Sequence, residues 1–344
     1  MCGVSLQKDM IHPHRLAYLD HNVLDLMTKG DPHGVAHLLK HASLTPVYSN
    51  ENLAEIRRSV GYEKTFLNVL HQIGAQHLVP ILDKDFKQTG TAEIQLVNPF
   101  DAFNSYIDNV DPMPEFGFGL SGMLQKFYGG REDQSFEEIF SGGVKEFGDL
   151  LASALEGLEA SPELTEEVRA ALVEAVVMLP EILREQYKSV ALNLDAESEK
   201  PIKGFEQTTG LGPKVLKNVR GPNVVRKIWT LVQERFPWTE IDQEVFFGIK
   251  PFPFEVDADR ERTTTEKVNG IYHQLNFLGY YRDSNMNKQR RFAASFSDMT
   301  HAGLASFCHV LICRDHDLVM KAAAAYEYLG VGTRIVHFGG KNNG

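Results

Sequence analysis

Residues 1–95 alternate between short apolar runs and stretches with helical spacing. Leu16–Leu19 reads as a short buried strand, and Val23–Met27 begins a helix. Pro32 opens a second helix, whose apolar positions Val35, Leu38, Leu39 and Ala42 recur at the spacing of one buried face. Pro46–Tyr48 reads as a second strand. Ser49 has the chemistry of an N-cap for the helix that follows. A further helix is expected from about Tyr62 to Ile73, then a third strand over His77–Leu82.

The tail repeats the pattern. Thr265–Leu278 carries Val268, Ile271, Tyr272, Leu275 and Leu278 at helical spacing and stops near Gly279. Ser297 is expected to cap a helix rich in small residues. His309–Cys313 reads as a strand, Asp317–Leu329 as a helix ending at Gly330, and Thr333–Phe338 as a last strand. Strands separated by helices imply right-handed crossovers and a mostly parallel sheet. The middle differs. From about Asn98 to Glu255 the chain opens with turn-rich sequence and continues with helical stretches near Ser135–Leu158, Glu163–Gln186 and Asn223–Phe236. Closing a long inserted loop costs little, about 0.6 kcal/mol per doubling of its length. The expected organisation is therefore one α/β domain split in sequence (1–97 and 256–344) around a mainly helical insertion (98–255).

At 344 residues, 43% hydrophobic and 24% charged, the chain has the composition of an ordinary globular protein. No apolar run approaches 18 residues, so no membrane span is expected. The first residues lack a basic stretch followed by an apolar one, and the three cysteines lack disulfide or zinc spacing, which makes cytoplasmic residence the expectation. A net charge of −11 argues against non-specific coating of nucleic acid. Cations are nevertheless clustered: Lys203 to Lys227 includes Lys214, Lys217 and Arg220, and Lys288, Arg290 and Arg291 form a second knot. Each patch has a bland reading as a solvated face, and gains meaning if it flanks the acids described next.

Four acids stand out by position. Asp20 follows the first strand, Glu55 lies in the helix capped by Ser49, Asp298 follows Ser297, and Asp315 follows Val310–Arg314. In an open α/β sheet such positions converge on the edge where parallel strands end. Two ionised groups 4 Å apart repel by about 4 kcal/mol at an effective dielectric near 20. Carboxylates gathered there would need protons or cations. Mg²⁺ and Mn²⁺ favour oxygen ligands, and a bound ion activates water and steadies charge on phosphoryl oxygens.

Asp20-x-Asn22 after the first strand, Leu53-x-Glu55 after a capped turn, Ser297-Asp298-x-x-His301-Ala302, and Asp315-x-x-Leu318-x-x-Lys321-Ala322 after an apolar strand together resemble the motifs of PIN-like domains, a family of metal-dependent ribonucleases. The resemblance implies a three-layer α/β fold and a Mg²⁺- or Mn²⁺-dependent ribonuclease, with toxins and defence effectors among its relatives. It implies Asp20, Glu55, Asp298 and Asp315 as catalytic metal ligands. Asn22, Ser49 and His301 would orient carboxylates or substrate, and Lys214, Lys217, Arg220, Lys288, Arg290 and Arg291 would contact RNA. Arg314 and Cys313 depart from the residues frequent at those positions. The insertion is open to three roles: holding RNA, a regulatory protein, or a second copy of the chain in a homodimer.

Each acid also has a plain structural reading. Asp20, Asp298 and Asp315 suit helix starts, and Glu55 suits a surface pair with Arg58. His301 reads more readily as a hydrogen-bonded packing residue. His33, His37 and His41 share one helix face but have no carboxylate or cysteine beside them. Phe246, Phe247 and Trp229 read as core. The alternative function is a PIN-like module without turnover that binds nucleic acid or protein. Aspartate-nucleophile phosphatases share the sheet type but want an acid where Asn22 stands.

Overall fold

The computed structural model describes residues 4–6, 15–110, 118–159, 165–197, 201–237, 241–253, 255 and 258–339. The chain divides into two compact units, one of Met1–Pro112, Leu211–Asp283 and Ala294–Gly344, the other of Met113–Gly210 and Ser284–Ala293. Residues 98–112 and 211–255, read from sequence as part of the insertion, thus belong with the two ends.

The first unit is an α/β fold on one seven-stranded sheet: β1 (Val4–Leu6), β2 (Arg15–Leu19), β3 (Leu44–Tyr48), β4 (Gln76–Leu82), β5 (Gln88–Gln95), β6 (Val310–Cys313) and β7 (Arg334–His337). Their order is β1-β5-β4-β3-β2-β6-β7. The five strands from β4 to β7 run parallel, and β5 is antiparallel to both β4 and β1. The mostly parallel sheet matches the sequence expectation. Strand β5 was missed because Gln88-Thr-Gly-Thr-Ala-Glu-Ile-Gln is polar at most positions, as an edge-side strand can be.

Successive side chains of a strand point to opposite faces. Ala17 and Leu19 of β2 join Val310 and Ile312 of β6 on one face, where Leu24, Leu53, Ile56 and Leu70 from the early helices cover them. Tyr18 points to the other face and meets His301 of the helix Gln289–Ala305. Asp20 continues the parity of Tyr18, so it is set toward the same side.

The chain end of β3 is fixed by a capping box. Ser49 Oγ accepts from Glu51 N–H at 3.2 Å, and Ser49 N–H donates to Asn52 Oδ1 at 2.9 Å. Asn52, fully buried, also donates from Nδ2 to the carbonyl of Leu19 at 3.0 Å, tying that helix start to the end of β2. The expected cap at Ser297 is corrected. The helix Gln289–Ala305 runs through this position without a break, and the Ser297 hydroxyl donates to Glu51 Oε1 and accepts from Arg58 instead. Asp298 is therefore a mid-helix residue. Small residues in this helix serve close packing: a Cβ at Gly303 would fall 2.2 Å from Asn269 Oδ1.

The second unit is helical, with Phe118–Phe127, Phe136–Glu159, Glu166–Glu197 and Pro201–Thr209. The third of these continues well past the expected end near Gln186 and carries Pro180 within it. The carboxylate of Asp195 accepts from the N–H groups of Phe136 and Glu137, at 2.7 and 3.2 Å. This places a negative charge on the start of Phe136–Glu159 and pins the two long helices as a hairpin. Lys288, Arg290 and Arg291 belong to this unit. No helix among the described residues is long and apolar enough to cross a membrane.

Candidate metal and phosphodiester site

The strand order reverses between β2 and β6: β3 and β4 follow β2 on one side, and β7 follows β6 on the other. Ligands of open α/β sheets bind in the crevice at such a point, outside the strand carboxyl ends. Asp20 ends β2 there, and its N–H donates to the carbonyl of Ile312 in β6 at 3.0 Å. Asp315 leaves β6 on the other wall and caps the helix His316–Leu329, its Oδ1 accepting from the N–H groups of Asp317 and Leu318 at 2.7 and 3.0 Å. Of the two acids at that helix start, Asp315 is the cap.

Asp20 is buried to 1% exposure, yet neither carboxylate oxygen makes a hydrogen bond of normal geometry. Burial, then the charges of Glu55 and Asp315, push it up to about 6, with His301 and the amide of Asn22 offsetting part of the rise. Asp298 is held well above the ordinary carboxylate range, by burial first and then by Asp20, Asp283, Asp315 and Glu55. The four acids singled out in the sequence thus act on one another electrostatically, and Asp283 adds a fifth charge that bears on Asp298. Asn22 is exposed in the first turn after Asp20.

Glu55 is different. Burial would raise it, but the charge and hydrogen bond of His301, with His21 and Arg58, outweigh burial and hold it below its ordinary value. His301 Nε2 lies 2.7 Å from Glu55 Oε2, and His301 Nδ1 lies 2.8 Å from the hydroxyl of Tyr18. That hydroxyl is in turn 2.7 Å from Ser49 Oγ. His301 is fully buried, and Glu55, Asp20 and Glu51 together push it up to about 9 against the effect of burial. It is a hydrogen-bonded buried residue, as its plain reading has it, and its neighbours favour the protonated ring. Ser49, Tyr18, His301 and Glu55 form one hydrogen-bonded chain beneath the crevice. At its rim, Arg58 donates to Ser297 Oγ at 2.7 Å and approaches Glu51 and Glu55.

Sequence reasoning assigned no role to Tyr18, Tyr272 or Asp283, nor to Lys321, although Lys321 stands in the motif that follows Asp315. Lys321 is fully buried, and its three donors meet Asn276 Oδ1 at 3.0 Å, the carbonyl of Tyr281 at 3.0 Å and Asp283 Oδ1 at 2.6 Å. Ser295 donates to the other oxygen of Asp283. Asp283 is thereby engaged on both sides, and its charge still bears on Asp298. The hydroxyl of Tyr272 is buried without a hydrogen-bond partner, and burial, then the charges of Asp283, Asp298, Asp315 and Asp20, raise its pKa. A signal for Lys321 existed: it shares the helical spacing of Leu318, Ala322 and Ala325, all buried. Asp283 sits in an irregular turn and had none.

Of the cations expected to contact nucleic acid, Lys214, Lys217 and Arg220 are exposed in the first unit. Their segment lies against the turn leading to Asp283, where a Cβ at Gly279, which has φ +109°, would fall 2.7 Å from Pro213. His37 and His41 stack at 5.9 Å, and half-buried Phe246 packs at 5.2 Å on Trp229, which is buried.

All-oxygen donors suit a hard cation such as Mg²⁺ or Mn²⁺. The unpartnered oxygens of Asp20 fit one. Among the described residues no three of His, Cys, Asp and Glu are already drawn together as a metal cage. A cation would have to draw Asp20, Asp298 and Asp315 inward, offsetting the burial and the neighbouring charges that hold Asp298 above the ordinary carboxylate range. The chain was compared with protein-family models, curated proteins and solved structures, and no match was found in any of them.

Proposed function

We propose that the first unit is a PIN-like, Mg²⁺- or Mn²⁺-dependent nuclease acting on phosphodiester bonds of RNA. The observation that carries this reading is Asp20: a buried carboxylate with no hydrogen bond of normal geometry, at the crevice where the strand order reverses, with its charge and that of Asp315 bearing on Asp298. A carboxylate in that state stabilises nothing in the fold by itself. It is a group waiting for a cation. The order of the five parallel strands agrees with the three-layer fold the motifs imply.

In this reading Asp20, Asp298 and Asp315 hold the ion, with Glu55 set by His301 on the same crevice. The ion would supply an activated water and steady the charge on the phosphoryl oxygens. His301 fixes the ionised form and orientation of Glu55, and Arg58 at the rim is placed to meet a phosphate. Toxin or defence roles, a regulatory protein partner and a homodimer are consistent with the resemblance.

The second reading is a PIN-like module that binds nucleic acid or protein without turnover. It is favoured by the lack of a ready-made metal cage among the described residues and by the engagement of Glu55 with His301. Labelled RNA incubated with Mn²⁺ or EDTA separates the two. Mn²⁺-dependent cleavage that disappears in Asp20→Asn and Asp298→Asn variants supports the nuclease. No cleavage and no thermal shift with Mn²⁺ supports the binding module.

A further inference from the structure

Beside Asp315 three rings cross the surface in sequence. Tyr281 meets His316 at 5.3 Å between centroids and 80° between planes, and His316 meets His337 at 5.7 Å and 40°. At the Tyr281 end, the guanidinium of Arg220 lies over the ring at 5.5 Å. His316 and His337 are exposed, and Tyr281 is half-buried. Apolar burial is therefore not what holds the two histidines in line.

The backbone under the row is secured at each station. The carbonyl of Tyr281 accepts from Lys321, and Tyr281 itself sits at φ +47°, a left-handed conformation that a bulky residue keeps only where its surroundings impose it. His316 opens the helix capped by Asp315. His337 Nε2 donates to the carbonyl of Arg314 at 3.0 Å. Lys227 holds the loop of Arg220 by donating to its carbonyl at 2.8 Å. Lys214 and Lys217, exposed on the same short segment as Arg220, add positive charge to that end.

We infer that Tyr281, His316 and His337, with Arg220, form a stacking platform for the bases of an unpaired RNA strand, which it lays beside Asp315. The inference deepens the nuclease reading by naming the form of its substrate, and rests on that reading only for the fate of the strand. The planes turn by 80° and 40° from ring to ring, so each ring offers its own face to a separate base, as a flexible unpaired strand allows, while neighbouring cations follow the phosphates. A duplex hides its base faces and cannot use such a row.

The test is fluorescence anisotropy on the full chain in EDTA, so that binding is read without cleavage. The probes are a labelled oligoadenylate, an RNA duplex of similar length, and inorganic polyphosphate as a base-free polyanion. Combined His316→Ala and His337→Ala should weaken oligoadenylate binding about tenfold or more, with duplex and polyphosphate binding unchanged. His316→Phe with His337→Phe should restore it, since Phe keeps the ring and loses the imidazole. Oligoadenylate binding that survives the alanine variant, an equal loss for all three probes, or no binding by the wild-type chain would each overturn the platform. Failure of the cleavage assay with the platform intact would sink only the nuclease reading.

Discussion

The imidazole of His301 is locked against Glu55 at 2.7 Å, inside the protein and far from bulk water. Removing one partner of such a pair leaves the other charge buried alone, which costs about 3 to 5 kcal/mol. Glu55→Gln, which strands His301, should destabilise the protein on that scale, and His301→Gln should cost less, because Glu55 is partly exposed and keeps Arg58 and His21. The double variant should cost less than the sum of the two, because both charges are then gone. Urea unfolding of the four proteins gives the coupling energy, expected to be about 1.5 kcal/mol or more. A coupling near zero would mean that His301 is held by Tyr18 alone.

Asp20 should show the opposite sign. Its folded-state pKa, raised to about 6 from 3.8, means that the native protein holds this proton more tightly than the unfolded chain does. Stability is therefore lost as pH rises from about 4 to 6, and at neutral pH the ionised carboxylate costs up to about 3 kcal/mol. In EDTA, Asp20→Asn should melt higher than the wild type near neutral pH, and the gap should close below pH 4. Mn²⁺ should raise the melting temperature of the wild type and leave the variant unmoved. A variant that melts lower at every pH would show that Asp20 has a structural partner after all.

Why the acids were legible and their supports were not follows from how each is encoded. Asp20 ends an apolar run and Asp315 follows one after Arg314, and a short buried run with an acid at or just past its end is visible in one dimension. Ser49 was legible as a cap because its chemistry is local. Tyr18 was hidden in the run that revealed Asp20: its hydroxyl has meaning only once β2 is placed beside β3 and beneath the helix of His301. Ser297 misled for a related reason. A serine before an acid and small residues looks like a cap, but here the hydroxyl is used by Glu51 and Arg58, from a helix more than two hundred positions away in sequence. Strand β5 failed because its alternation carries few apolar residues.

Lys321 gives a further test, because its ammonium has no water to fall back on. Lys321→Met keeps the length of the side chain and removes the charge, leaving Asp283 with Ser295 as its remaining donor. The expected cost is about 3 to 5 kcal/mol. Adding Asp283→Asn should recover a large part of it, since no unpaired charge then remains. Chemical denaturation of the two variants decides this. No recovery in the double variant would place the cost in the lost contacts to Asn276 and Tyr281, not in the stranded carboxylate.

His77 makes the stability of the sheet depend on pH from the basic side. Its ring lies 5.0 Å from that of Tyr48, nearly parallel, and its Nε2 is 2.9 Å from Asn50 Oδ1. Nε2 donates to that oxygen in the neutral ring. Burial lowers its pKa from 6.5 to about 4, so the unfolded chain takes up a proton in this range before the native protein does. The sign follows: stability is fully present above about pH 6.5 and falls as pH drops toward 4, by up to about 3 kcal/mol. His77→Phe keeps the stack on Tyr48 and has no proton to gain. It should flatten the fall in melting temperature between pH 6.5 and 4 while sacrificing about 1 kcal/mol for the lost hydrogen bond to Asn50 at neutral pH. An unchanged slope in the variant would assign the acid sensitivity to other groups.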